Sequence, residues 1–76
     1  MISVRTVDGS SNIVSVGYDS DASELRVLFA SGGVFSYEGV TQKAFDELMR
    51  APSKGQYFHR HIKNNYPATK VEEQFV

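Results

Sequence analysis

Apolar residues recur with a period of two through the first half of the chain. Ile2-Ser3-Val4-Arg5-Thr6-Val7 alternates and predicts a strand. Ile13 to Tyr18 is rich in β-formers and predicts a second strand, with Val14, Val16 and Tyr18 on one face. Glu24 to Ala30 alternates cleanly, with Leu25, Val27 and Phe29 inward and Arg26 outward. Val34 to Val40 reads as a further strand. Phe35 and Tyr37 share one of its faces, while Val34, Ser36 and Glu38 share the other. The segments between are turn formers. Asp8-Gly9-Ser10-Ser11-Asn12 has the composition of a turn, and Asp19-Ser20-Asp21-Ala22-Ser23 predicts another, of the kind where side chains bond their own backbone. Ser31-Gly32-Gly33 predicts a tight hairpin, because glycine supplies the positive φ that such turns need.

The second half changes to helical spacing. Thr41 can cap a helix that runs to about Ala51. At about 100° per residue, Ala44, Phe45, Leu48 and Met49 form one stripe. Lys43, Asp46, Glu47 and Arg50 fall opposite, with Lys43–Glu47 and Asp46–Arg50 at ion-pair spacing. The residue before Pro52 avoids helical geometry, so the helix ends there. Ser53-Lys54-Gly55-Gln56 is a capping-box pattern opening a second helix. Its inner face carries Phe58, Ile62 and Tyr66, and Pro67 stops it. Residues 68–76 suit a helical turn, a piece of strand or a mobile tail, with Val71 and Phe75 as the groups that could dock. The pattern as a whole predicts an α+β fold: a three- to four-stranded antiparallel β-meander followed by two helices packed on one face. Phe29, Phe45, Leu48, Phe58 and Ile62 are its expected central core.

Composition narrows the class. Seventy-six residues suit one domain over 1–76, with a core at about 10–66 and a tail at 67–76. Nothing in the sequence repeats. There is no Cys, which excludes a disulfide framework, a zinc ribbon and a thiol nucleophile. A small domain without such staples suggests the cytoplasm. No apolar run approaches the roughly 18 residues of a membrane helix, and Met1-Ile2-Ser3-Val4-Arg5 lacks a signal-peptide layout.

Charge locates the candidate chemistry. The net charge is −1, but it is unevenly divided. Residues 1–40 carry Arg5 and Arg26 against five acids, whereas residues 41–70 carry six basic groups against Asp46 and Glu47. From Ser53 to Tyr66 there are Lys54, Arg60, Lys63, His59 and His61 and no acid. Gln56, Arg60, Lys63 and Asn64 fall on the outward arc of the second helix, with Tyr57 at its edge. Such a face can neutralise phosphates and add hydrogen bonds to them; a solvated surface that keeps the domain soluble has the same composition. Phe35 and Tyr37 are core if packed inward and a base-stacking platform if exposed. His59 and His61 point about 200° apart on a helix and so do not share a metal ion. No phosphate loop and no nucleophile with its base is recognisable, so neither catalysis nor a cofactor is expected.

Several segments together resemble the KTSC domain. They are Ser10-Ser11-Asn12-Ile13, Val16-Gly17-Tyr18-Asp19, Leu25-Arg26-Val27-Leu28-Phe29 and Gly32-Gly33-Val34-Phe35-Ser36-Tyr37, then Gly39-Val40, Ala51-Pro52-Ser53-Lys54-Gly55-Gln56-Tyr57-Phe58 and Ile62-Lys63-Asn64-Asn65-Tyr66. The family takes its name from the C-terminus of some lysyl-tRNA synthetases and also occurs as free-standing small proteins of bacteria and phages. The resemblance implies RNA binding through the synthetase association. The family's central Tyr-x-Tyr motif falls on Phe35-Ser36-Tyr37, so one hydroxyl is lost here. Its Ser-x-Gly-x-Tyr/Phe segment falls on Ser53, Gly55 and Tyr57-Phe58, the start of the basic helix.

The expected function is therefore a small non-catalytic binding module for RNA. Lys54, Arg60 and Lys63 would contact phosphates, Gln56 and Tyr57 would add hydrogen bonds, and Tyr37 would stack on a base if exposed. The alternatives are a protein-interaction or accessory module and a small-nucleotide binder.

Overall fold

The computed structural model describes residues 2–7 and 12–71. Five strands form one antiparallel sheet in the order β1-β2-β3-β4-β5. They are β1 (Ile2–Thr6), β2 (Ile13–Asp19), β3 (Glu24–Phe29), β4 (Val34–Glu38) and β5 (Ala68–Val71). Between β4 and β5 the chain forms α1 (Gln42–Arg50), α2 (Lys54–Tyr57) and a π-helical segment, Phe58–Ile62. The fold is α+β, with the helices on one face of the sheet. A fifth strand extends the expected meander. Residues 68–71, part of the ambiguous tail, return from the helices and pair with β4, placing Val71 opposite Val34 and Ala68 opposite Tyr37. Phe75 lies outside the described residues, as do residues 8–11 of the first predicted turn.

Local chemistry sets the elements. Asp19 Oδ1 accepts hydrogen bonds from the backbone N–H groups of Asp21 and Ala22, at 3.0 and 3.4 Å, and so builds the β2–β3 turn. Gly32 closes the β3–β4 hairpin at φ +97°, and its N–H donates to Phe29 O at 2.8 Å. Thr41 caps α1 by accepting from Ala44 N–H at 3.1 Å, and Ser53 caps α2 by accepting from Gln56 N–H at 3.4 Å.

One interior holds the layers together. Ile13, Val16 and Tyr18 of β2, Leu25 and Val27 of β3, and Tyr37 of β4 pack against Phe45 and Leu48 of α1 and against Phe58 and Ile62. Tyr18 stacks on Phe45 at 4.7 Å with the rings 10° apart, and its hydroxyl donates to Val40 O at 2.6 Å. On the opposite face of the sheet, Glu24 accepts hydrogen bonds from Ser36 Oγ and, at 3.0 Å, from Arg26 Nε.

Five expectations change at residue level. Val14 does not share the inner face with Val16 and Tyr18. The register shifts between Ile13 and Ser15, and this bulge leaves Val14 43% exposed. Phe29 is half-buried at the edge of the core, whereas the other four expected core residues are buried. The fourth strand ends at Glu38, ahead of Gly39 at φ +80°. The i,i+4 ion pairs of α1 do not form. Asp46 instead accepts from the Gln42 amide at 3.0 Å, and Glu47 from the Tyr57 hydroxyl at 2.9 Å. The second helix closes four residues before Tyr66. Lys63 N–H bonds five residues back to Phe58 O at 2.9 Å, and the Asn65 side chain donates to His61 O at 2.8 Å.

Candidate binding cleft

The π-helical segment sits over the β3–β4 side of the sheet and brings a row of rings together. Phe29 meets Phe35 edge to face at 5.7 Å and Phe58 at 5.6 Å, and Phe58 meets Tyr37 at 5.2 Å. These four rings floor a cleft of about 420 Å³. Asn12 and Ser31 contribute to its lining from the loops, and His59, Lys63 and Asn64 from the second helix and its exit. None of the described lining residues is acidic. Phe29 and Phe35 are half-buried, so they provide the ring surface open to the cleft, while Phe58 and Tyr37 lie beneath.

The six residues singled out in the sequence do not converge on one point. Lys63 lines the cleft and is exposed. Tyr37 also borders it, but the residue is only 4% exposed. The condition for stacking by Tyr37 is therefore not met: β4 turns that face towards the helices, and Phe58 covers it. Arg60 and Gln56 are exposed on the second helix, and neither Arg60 nor Lys63 has an ion-pair partner among the described residues. Lys54 folds back, its ammonium donating to Ala51 O at 3.4 Å, where a cation offsets the carbonyl end of α1. Tyr57 faces α1. Its hydroxyl is held by Glu47, and its ring lies 4.5 Å from that of His61. Burial pushes the Tyr57 phenol up from its ordinary value, and the Glu47 carboxylate adds to the shift.

Sequence reasoning placed Phe29 in the core, left Phe35 open between core and platform, and missed the rim formed by Asn12, Ser31 and His59. Phe29 alternates with core residues along β3, so its pattern alone reads as interior. His59 and His61 do separate as helical geometry predicts. His59 borders the aromatic cleft, and His61 borders a second hollow with Lys43, Glu47, Tyr57 and Tyr66. Among the described residues no group of three or more His, Asp or Glu side chains is placed to hold a metal ion. No helix of the described chain is long and apolar enough to cross a membrane.

Comparison with known proteins places this architecture. Residues 9–66 match the family model of the KTSC domain. The chain belongs to the KTSC domain family. The crystal structure of a KTSC domain protein from Yersinia pestis matches with a TM-score of 0.86 at 35% identity, covering 93% of this chain and 99% of that one. A protein of Stutzerimonas stutzeri is 37% identical over 54 residues, which are 71% of this chain and 76% of its own length. A lysine–tRNA ligase of Trichormus variabilis is 45% identical over 49 residues, or 64% of this chain. The match spans only 9% of the ligase's length, so it concerns a small KTSC portion of a much longer enzyme.

Proposed function

We propose that this KTSC domain is a non-catalytic, cytoplasmic RNA-binding module that contacts phosphates through Arg60 and Lys63. The observation that carries the reading is a pair of exposed cations without ion-pair partners among the described residues, one of them at the rim of an aromatic cleft with no acidic lining among those residues. Gln56 supplies an exposed amide on the same helix. Lys54 and Tyr57, engaged by Ala51 and Glu47, contribute less than the sequence pattern alone suggests. The KTSC portions found in lysine–tRNA ligases support an RNA ligand for this chain as well.

The test is fluorescence anisotropy with a labelled short single-stranded RNA at low salt. Reversing both cations, Arg60→Glu with Lys63→Glu, abolishes binding in this reading. Both side chains are exposed, so circular dichroism of the double variant should match that of the parent. Binding undiminished by the double reversal contradicts the reading. A protein partner is the second reading, favoured by Ile2, Val4 and Val14, the exposed large apolar side chains of the described chain, which lie on the edge strand and its neighbour. That mode is largely insensitive to salt and survives the double reversal.

A further inference from the structure

We propose that the aromatic cleft takes a single unstacked nucleotide, its base on the open rings of Phe29 and Phe35 and its phosphate at Lys63 and His59. The inference deepens the RNA-binding reading and rests on it for the strand that delivers the base. Four observations lead to it. The cleft, at about 420 Å³, lies at the small end of the ~300–1,000 Å³ usual for small-ligand sites, which suits one nucleotide. Its floor is four rings in edge-to-face contact, and only Phe29 and Phe35 keep ring surface open. A flat base laid on one ring meets the edge of the other, the two geometries that aromatic groups favour. The rim is amide and hydroxyl at Asn12, Asn64 and Ser31, groups that can pair with base edges. The charged group of the rim is the Lys63 ammonium, with the His59 imidazole beside it and no carboxylate among the described lining residues. An aromatic peptide side chain fits the same floor but makes no use of a cation and two amides at the rim.

This placement moves the stacking role off Tyr37. The position that departs from the family's Tyr-x-Tyr motif, Phe35, is the one with open ring surface. Loss of its hydroxyl leaves a purely apolar stacking face, and the hydrogen bonding of the base then falls to the rim.

The test uses the intact chain and two probes, adenosine 5′-monophosphate and a short single-stranded RNA, followed by NMR of aromatic and amide protons. Inorganic phosphate is the control. The proposal expects the nucleotide to shift Phe29 and Phe35 ring signals together with Lys63 and Asn64 amides, while phosphate leaves the rings unmoved. It expects Phe35→Leu, which keeps apolar bulk but removes the π face, to weaken RNA binding by about 5- to 150-fold. An RNA that binds and loses affinity on reversal of Arg60 and Lys63, yet is insensitive to Phe35→Leu and leaves the rings unshifted, overturns the cleft proposal and keeps the helix reading. Ring shifts with the mononucleotide but no binding of RNA keep the cleft proposal and overturn the RNA reading. No ring shift with either probe, or ring shifts only with an aromatic peptide, overturns the cleft proposal.

Discussion

Phe58 ties the second helix to the sheet through edge-on contacts with Phe29 and Tyr37. Truncation to Ala removes both contacts and leaves a cavity, at a cost of about 3–5 kcal/mol. Against a typical total of roughly 4–11 kcal/mol for this length, that approaches the whole stability of the domain. Urea titration followed by circular dichroism should show a strongly lowered midpoint for Phe58→Ala; an unchanged midpoint would contradict the assigned inner face. Tyr18→Phe is a subtler change. The ring still stacks on Phe45, but the buried Val40 carbonyl loses its donor. The expected cost is about 1–3 kcal/mol, read from the same titration. Burial pushes the Tyr37 phenol up from its ordinary value, and burial is also the leading cause of the upward shift at Tyr18. Above about pH 10 the unfolded chain releases these protons while the folded chain holds them. Stability is therefore lost as pH rises beyond that value. Tyr37→Phe should flatten the alkaline fall in urea midpoint, and an equally steep fall would contradict it. The sequence left Tyr37 open between core and platform because β4 carries apolar groups on both faces, Val34 on one and Phe35 with Tyr37 on the other. Alternation along such a strand does not say which face the helices cover.

At the scale of elements, the pattern is most legible where a signal is local. The Thr41 and Ser53 caps and the Gly32 hairpin appear where the residues place them, and so do the strand runs except for the early end of the fourth at Glu38. What the pattern hides depends on partners distant in sequence. The bulge at Val14 is set by pairing with β3, and β5 exists because β4 offers an unpaired edge to residues 68–71. The π-helical closure has a similar origin. It widens the turn between Phe58 and Lys63, with Phe58 and Ile62 both held in the core and His59 at the cleft. Gly39, between β4 and α1, tests how far backbone geometry governs these joints. It sits at φ +80°, and a Cβ added there meets nothing within 4 Å. Gly39→Ala should therefore cost only the backbone strain, about 1 kcal/mol, measured as a lowered urea midpoint with an unchanged fold. Equal or higher stability would contradict the strain argument.

Across the whole molecule, a net charge of −1 conceals a division between an acidic sheet half and a basic helical half. The basic half was legible from composition along the chain; the cleft beside it was not, because its floor draws on β3, β4 and the second helix at once. In the proposed function, this basic, cleft-bearing side engages RNA. The most direct measurement is an NMR titration of the isotope-labelled chain with a short single-stranded RNA, repeated over a series of salt concentrations. Gln56, Arg60, Lys63 and Asn64 amides should move first. With two or three phosphates in reach, log K should fall against log salt with a slope of roughly −1.4 to −2.1, at about −0.7 per phosphate. Amides of the second helix that stay unperturbed at the lowest salt, or shifts that appear instead along β1 with no dependence on salt, would contradict the account.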